Sequence, residues 1–138
     1  MNLTSLITDN ITELLVKIIE FTHARQKILT GNINNIYRSE FVPKDLAVDE
    51  FADLLNDALG EHILNQRLLL YDTENIKFGF RGTFVAKPIV DEYAKELLEK
   101  NPDEYLELQI DRLLENSLNQ RVAAELLKQK QGMISIFE

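Results

Sequence analysis

The sequence predicts a mainly α fold. Long N- and C-terminal amphipathic helices are expected to pack as a helical bundle or coiled coil, with a small irregular or β-hairpin region in the middle. Apolar residues near the start recur in alternating steps of four and three, and a second helical pattern, introduced by a proline, closes the chain. Strict alternation of apolar and polar residues, the mark of a strand, is confined to a short central stretch.

The first helix is read from Ile7, Ile11, Leu14, Ile18, Phe21 and Ile28, with Leu15, Thr22 and Leu29 widening the stripe. Arg25 completes the spacing, since its aliphatic stem can cover apolar surface while its head reaches water. This periodicity gives a helix of about 25 residues that turns one face toward a partner. Thr8 or Asp9 is a candidate N-cap, and Gly31 with Asn32 is a candidate stop. From Asn32 to Lys44 no helical period remains, and Pro43 disfavours helix at Val42. A second helix is expected to begin between Asp45 and Asp49 and to run through Phe51, Leu54, Leu55, Ala58 and Leu59 to about Leu70.

Tyr71 to Asn75 reads as a loop. Ile76, Phe78 and Phe80 then alternate with Lys77 and Gly79, and Thr83, Phe84 and Val85 follow Gly82, which predicts a short hairpin turning around Arg81-Gly82. A helical piece is expected from Ile89 to Glu99. Asn101-Pro102-Asp103-Glu104 is a helix start: Asn101 caps, Pro102 suits the first turn, and Glu104 can reach back to the cap. The last helix is expected to run to about Ile136. Leu106, Ile110, Leu113, Leu114, Ser117, Leu118, Ala124, Leu127 and Ile134 are read as one broad apolar face. The organisation is therefore one domain over 1–138. It comprises an N-terminal helix (1–31), an Asn-rich extended loop (32–47), a variable middle (48–100) and a C-terminal helix (101–138).

Composition bounds the function. At 138 residues, 45% hydrophobic and 28% charged, the chain has the make-up of one folded domain rather than a disordered segment. Its net charge of −8 argues against nucleic acid as a partner, because phosphate neutralisation needs clustered Lys and Arg. The absence of cysteine removes disulfides and thiolate metal sites. The first residues carry neither a basic region nor a continuous apolar core, so a cleaved signal peptide is not expected, and no apolar run reaches the length of a membrane span.

Candidate chemistry is sparse. His23 and His62 stand in no metal-binding frame and are read as surface residues, although Glu20 and His23 have the spacing of half a carboxylate di-iron site. Asp72-Thr73-Glu74-Asn75 lacks the glycine and the final glutamate of an EF-hand. Gly79-Phe80-Arg81-Gly82 lacks the glycine spacing of a phosphate loop. The acidic zone from Asp91 to Glu107 is read as solvated helix faces and first-turn acids. No catalytic residue, cofactor, metal or small-molecule substrate is expected from these patterns.

Two motifs at opposite ends of the chain add to this reading. Arg25-Gln26, Leu29 and Asn32-Ile33-Asn34-Asn35 match an R-Q-x-x-L-x-x-N-I-A-N pattern with Asn34 in place of alanine; Phe41, Asp45 and Phe51 continue it. Glu115-Asn116-Ser117-Leu118, followed by Val122-Ala123-Ala124 and Leu126-Leu127, matches an A-E-N-T-L pattern. Together they resemble the bacterial flagellar proximal-rod protein family. The chain departs from it at Arg38-Ser39-Glu40, where the family has Thr-Pro-Gly before an aromatic residue, and at Gln120, where tyrosine is frequent.

The resemblance implies a non-enzymatic structural subunit of the flagellar basal body. Such a subunit is made in the cytoplasm, exported by the flagellar type III apparatus without a cleaved signal peptide, and assembled in the periplasmic rod through its terminal helices. Its implied partners are the export apparatus and other rod and basal-body subunits. Ile11, Leu14, Ile18, Ile28, Leu113, Leu118 and Leu127 are then expected at the assembly interface, with Asn32 to Asn35 shaping the exit from the first helix through side-chain bonds to backbone. Three alternatives stay open. The terminal stripes can pair within one molecule, the chain can be a small acidic helical adaptor or export chaperone that binds another protein, or an enzyme site can lie in the central hairpin region.

Overall fold

The computed structural model describes residues 3–79 and 84–137. In chain order the elements are α1 (Leu3–Asn34), β1 (Lys44–Asp45), α2 (Val48–Asn65), β2 (Ile76–Phe78), β3 (Phe84–Ala86), β4 (Ile89–Val90), α3 (Glu92–Lys100) and α4 (Pro102–Phe137). The chain is mainly α, with long helices at both ends and a small β region between them. Asn32 of α1 meets Gln109 of α4, and Thr22 meets Asn116. Rising numbers in one helix thus meet falling numbers in the other, so the terminal helices run antiparallel. Helix α2 is also antiparallel to α1, because Phe51 stacks on Phe21 while Asn10 reaches His62 and the Gln66 carbonyl.

The apolar core lies between α1, α2 and the β2–β3 hairpin. Phe21, Leu46, Phe51, Leu54 and Ile76 are its buried members, and Ile18, Ile28, Val48, Leu55, Phe78 and Phe84 pack around them. The Phe21 and Phe51 rings are parallel with centroids 4.0 Å apart, and Phe84 continues the stack at 6.1 Å. Lys17 is buried on α1 with its ammonium 5.4 Å from the centroid of Phe84 and paired with Glu13 and Glu20. Such stacking adds to simple area burial, and the cation over the ring face is attracted by its quadrupole.

Several boundaries differ from the sequence expectation. Helix α1 is already formed at Leu3, so Thr8 and Asp9 lie inside it rather than capping it. At the other end it passes through Gly31 and closes at Asn34. An added Cβ at Gly31 would meet only Asn35 Nδ2 at 3.8 Å, so this glycine is an ordinary helical position and not a stop. Helix α2 ends at Asn65, short of Leu70, because Gln66 turns left-handed (φ 54°) and its N–H closes on the His62 carbonyl.

In the middle, β2 and β3 pair antiparallel with Lys77 opposite Val85, as a hairpin requires; the expected turn at Arg81-Gly82 falls outside the described residues. The loop before it is tied down by its own side chains. Asp72 accepts from the Phe78 N–H, Thr73 from the Ile76 N–H, and Glu50 of α2 accepts from both nitrogens of Asn75. The Asn75 amide holds the Glu50 carboxyl below its ordinary pKa. Ile89 and Val90 are strand rather than helix: β4 pairs with β1 in the register Lys44–Val90 and Asp45–Ile89, and α3 begins only after Asp91, whose carboxylate caps Ala94 N–H. Asn101 and Pro102 open α4 as expected, with Asn101 Oδ1 accepting from Glu104 N–H at 3.2 Å. The return bond from Glu104 is replaced, since the Asn101 N–H already closes α3 on the Leu97 carbonyl.

The segment between α1 and β1 contains a tight turn. The Phe41 N–H donates to the Arg38 carbonyl at 3.3 Å, and Glu40, the third residue of the turn, sits at φ 62° while Ser39 does not share the positive φ. A positive φ at the third position is the type II pattern, for which glycine is favoured. Glu40→Gly is therefore expected to stabilise the chain by about 1 kcal/mol, the cost of holding a side chain in the left-handed region. Urea unfolding of the two forms measures it, and an unchanged or lower midpoint would remove the strain argument.

Candidate functional site

The face of α4 that packs against α1 is polar. Tyr105, Gln109, Asn116 and Ala123 are buried on it, and Arg112 is mostly so. Their steps of four, three, four and seven are the spacing of a helix–helix seam. Across from them α1 presents Thr22, Arg25, Leu29 and Asn32, all buried.

Asn32 is the best-connected of these residues. Its amide nitrogen donates to the Lys44 carbonyl at 2.7 Å and to Gln109 Oε1 at 3.0 Å, and its oxygen accepts from the Lys44 N–H at 3.2 Å. The side chain thus pairs with Lys44 as a neighbouring strand's peptide would. The Tyr105 hydroxyl donates to the Asn32 carbonyl at 2.8 Å. This satisfies one of the carbonyls that a helix C-terminus leaves free. Asn35 closes on the Gly31 carbonyl twice, donating from its backbone N–H at 3.0 Å and from its side chain at 2.8 Å. Two turns up, Asn116 donates to the Thr22 carbonyl at 2.7 Å, while the Thr22 hydroxyl bonds back to Ile18.

An ion network continues the seam. Arg25 grips Asp45 through two parallel bonds of 2.9 and 3.0 Å, and Asp45 Oδ1 also accepts the Leu46 N–H. Arg112 lies 3.7 Å from Asp45 and donates to Asp91, which also caps α3. One chain of contacts therefore links α1, β1, α4 and α3. It borders a cleft of about 580 Å³ between the starts of α2 and α3. Burial pushes the Tyr105 phenol up to about 12, with Asp91 adding to the shift and Arg112 opposing it.

The motif residues therefore come together. Arg25, Asn32, Asp45 and Asn116 are all members of the seam, and Leu29 is fully buried beside them. Ile33, Asn35 and Phe41 are half-buried, and Gln26 points to solvent. The expected interface set divides. Leu14 is buried within the chain, so a charge placed there would disrupt the fold itself; Ile18 and Ile28 pack against the apolar core. Ile11, Leu113 and Leu127 are half-buried, and Leu118 is exposed. Of the two histidines, His23 is exposed, but His62 is buried. It continues the inward line Phe51, Leu54, Ala58 and takes a 3.3 Å contact from Asn10, so the surface reading fails for it.

The broad apolar face expected on α4 is split: Leu106, Leu113 and Leu127 are half-buried, Ser117 and Ala124 are exposed, and the side chain of Ile134 lies outside the described residues. Ile110, Leu114 and Leu118 are exposed, as are Val122 and Leu126, which sequence reasoning left out of that face. Leu118, Val122 and Leu126 line an apolar groove of about 430 Å³ between α2 and α4, floored by Leu15, Ile18 and Phe21. Sequence reasoning also missed Tyr105, Gln109, Arg112 and Asp91. The available signal was a set of large polar residues at heptad spacing, which a search for apolar stripes passes over. Among the described residues no cluster of three or more His, Asp or Glu is placed to hold a metal ion, and no helix is long and apolar enough to cross a membrane.

Two outcomes follow. Arg25→Ala is expected to destabilise the chain by about 3 kcal/mol, because it strips a largely enclosed carboxylate of its buried bidentate partner; chemical denaturation reads the loss, and a change below about 0.5 kcal/mol would put the pair among exposed ones. In alkaline titration followed by tyrosinate absorbance, Tyr105 should ionise near pH 12. Because the unfolded phenol ionises near 10, stability should fall as pH rises from about 10 to 12, and Tyr105→Phe should flatten that slope.

No family model matches this chain, and no curated protein or solved structure matches it.

Proposed function

We propose that this chain is a structural subunit of the bacterial flagellar basal-body rod, working through helix-to-helix contacts and not through catalysis. The observation that carries the reading is the convergence of the two motifs. Arg25, Asn32 and Asp45 come from one end of the chain and Asn116 from the other, yet all four lie along the single seam that joins α1 to α4. Unrelated coincidences of sequence would have no reason to meet there. The turn at Arg38 to Phe41 supports the same reading, because Glu40 occupies the glycine position of the family's Thr-Pro-Gly turn and carries the positive φ that glycine serves.

On this reading the seam fixes how the terminal helices pair, and the uncovered face of α4 is what a neighbouring subunit contacts. Export through the type III apparatus as an unfolded chain is compatible with a sequence without cysteine, since no disulfide has to be broken or reformed. A second reading is favoured by the apolar groove between α2 and α4, which suits an adaptor or export chaperone that holds an amphipathic helix of another protein.

Deletion of the gene in its source bacterium tests the proposal. Cells are expected to lose swimming, and electron microscopy should find basal bodies without rods or hooks, both restored by complementation. Swimming cells with intact rods would overturn the rod reading. Cells that make rods but fail to export one particular subunit would favour the adaptor.

A further inference from the structure

Helices α2 and α4 both run antiparallel to α1 and flank it, and the groove between them is a trough lined by these three helices alone among the described residues. Val48, Phe51, Ala52 and Leu55 of α2 form one wall, and Leu118, Asn119, Val122 and Leu126 of α4 form the other. The floor runs from Leu15 through Ile18 and Phe21 to Arg25, about 15 Å of helix axis.

At its Arg25 end the trough opens into the cleft between the starts of α2 and α3, since Arg25 and Val48 line both. Five carboxylates face that cleft, Asp45, Asp49, Glu50, Asp91 and Glu92, against the two guanidiniums of Arg25 and Arg112. Both guanidiniums are committed to Asp45 and Asp91. Asp49, Glu50 and Glu92 make no salt bridge among the described residues; Glu50 accepts from Asn75, with Lys77 acting on it from beyond contact distance. The first turns of α2 and α3 offset about half a charge each, so the mouth of the trough keeps an excess of roughly two negative charges.

These features select an occupant. Walls of Val, Phe, Ala and Leu side chains cannot bond the N–H and C=O groups of an extended segment, which would be buried unpaired. A helix satisfies its own backbone and fills such a trough with apolar residues at i, i+3 or i+4, and i+7. Its end in the acidic mouth has to carry positive charge. A second copy is ill suited to supply that helix: α2 has five carboxylates and no Lys or Arg, α3 has three against two lysines, and α1 and α4 are packed on each other.

We propose that the α2–α4 trough seats an amphipathic helix of a different protein, with an apolar stripe along the trough and a Lys- or Arg-bearing end in the cleft of Asp49, Glu50 and Glu92. The proposal rests on the second reading above, in which the groove holds a helix of another chain, and adds the charge that the partner must bring.

The probe is a fluorescein-labelled, alanine-based synthetic helix of about 14 residues, long enough for the trough and one further turn. It carries leucines at i, i+3 and i+7 and lysines in its last turn, where a helix's own dipole favours them. Its twin has glutamates in place of the lysines. Fluorescence anisotropy with the full chain is expected to show the lysine helix binding about tenfold tighter than the twin, with the gap narrowing as salt is added. Val122→Asp should abolish binding, and Asp49→Asn combined with Glu92→Gln should weaken the lysine helix to the level of the twin. All three positions are exposed, so the fold is expected to persist, and circular dichroism checks this. Equal binding of the two helices, both lost in Val122→Asp, would overturn the charge requirement and leave the adaptor reading standing. No binding of either would overturn both. Binding that survives Val122→Asp would put the helix elsewhere and overturn the proposal. So would a wild-type dimer in sedimentation that Val122→Asp dissociates, because a second copy would then fill the trough.

Discussion

The buried polar seam between α1 and α4 is the constraint on which the rest of the molecule depends. Two apolar stripes can slide past each other by a turn at little cost. Asn32 cannot, because its side chain must meet both backbone groups of Lys44 while its carbonyl receives the Tyr105 hydroxyl. A one-turn slip would leave these groups buried and unpaired, at about 1–3 kcal/mol each. The seam has one unmatched donor, Gln109 Nε2, which is buried with no hydrogen-bond partner among the described residues. Its oxygen is committed to Asn32, so the geometry of the better-connected residue prevails.

The same seam positions β1, β4 and α3 between the terminal helices. Asn32 and Arg25 hold Lys44 and Asp45, whose backbone forms β1; β1 recruits β4; and β4 ends at Asp91, which caps α3 and receives Arg112 from α4. A strand pair of two residues each has little stability of its own. Here it persists because side chains from both long helices clamp its ends. The apolar core is built on the other flank of α1, where α2 and the hairpin supply aromatic rings to Phe21. Helix α1 thus has two working faces, one polar toward α4 and one apolar toward the middle of the chain.

This division explains what could be read from the sequence. Helix α1, the core line of α2, the hairpin strands and the start of α4 at Asn101-Pro102 were legible, because each follows a local rule of period or capping. The β1–β4 pair was not, since its partners are more than forty residues apart and too short to carry a pattern. Nor was the orientation of α4. An apolar period says that a face avoids water, not which partner removes it, and here the inward face is the one bearing Tyr105, Gln109 and Asn116. The extension of α1 through Gly31 was hidden for a related reason: Asn32 looked like a helix terminator, but its amide is needed inside. Glu40 shows the limit of residue-type rules, because the turn forms without the proline or glycine that would announce it.

The orientation of α4 also bears on the proposed assembly. Had the helix turned its leucines toward α1, the molecule would gain apolar burial and lose its uncovered face together. Packing the polar face inward costs desolvation, and hydrogen bonds of this kind return only about 1 kcal/mol each on balance. The arrangement therefore leaves Ile110, Leu114, Leu118, Val122 and Leu126 partly open to solvent among the described residues. A fold that specifies its own register with polar contacts can keep its apolar surface for a neighbour. That separation of tasks is what a subunit requires if it is to have a defined shape before it joins anything.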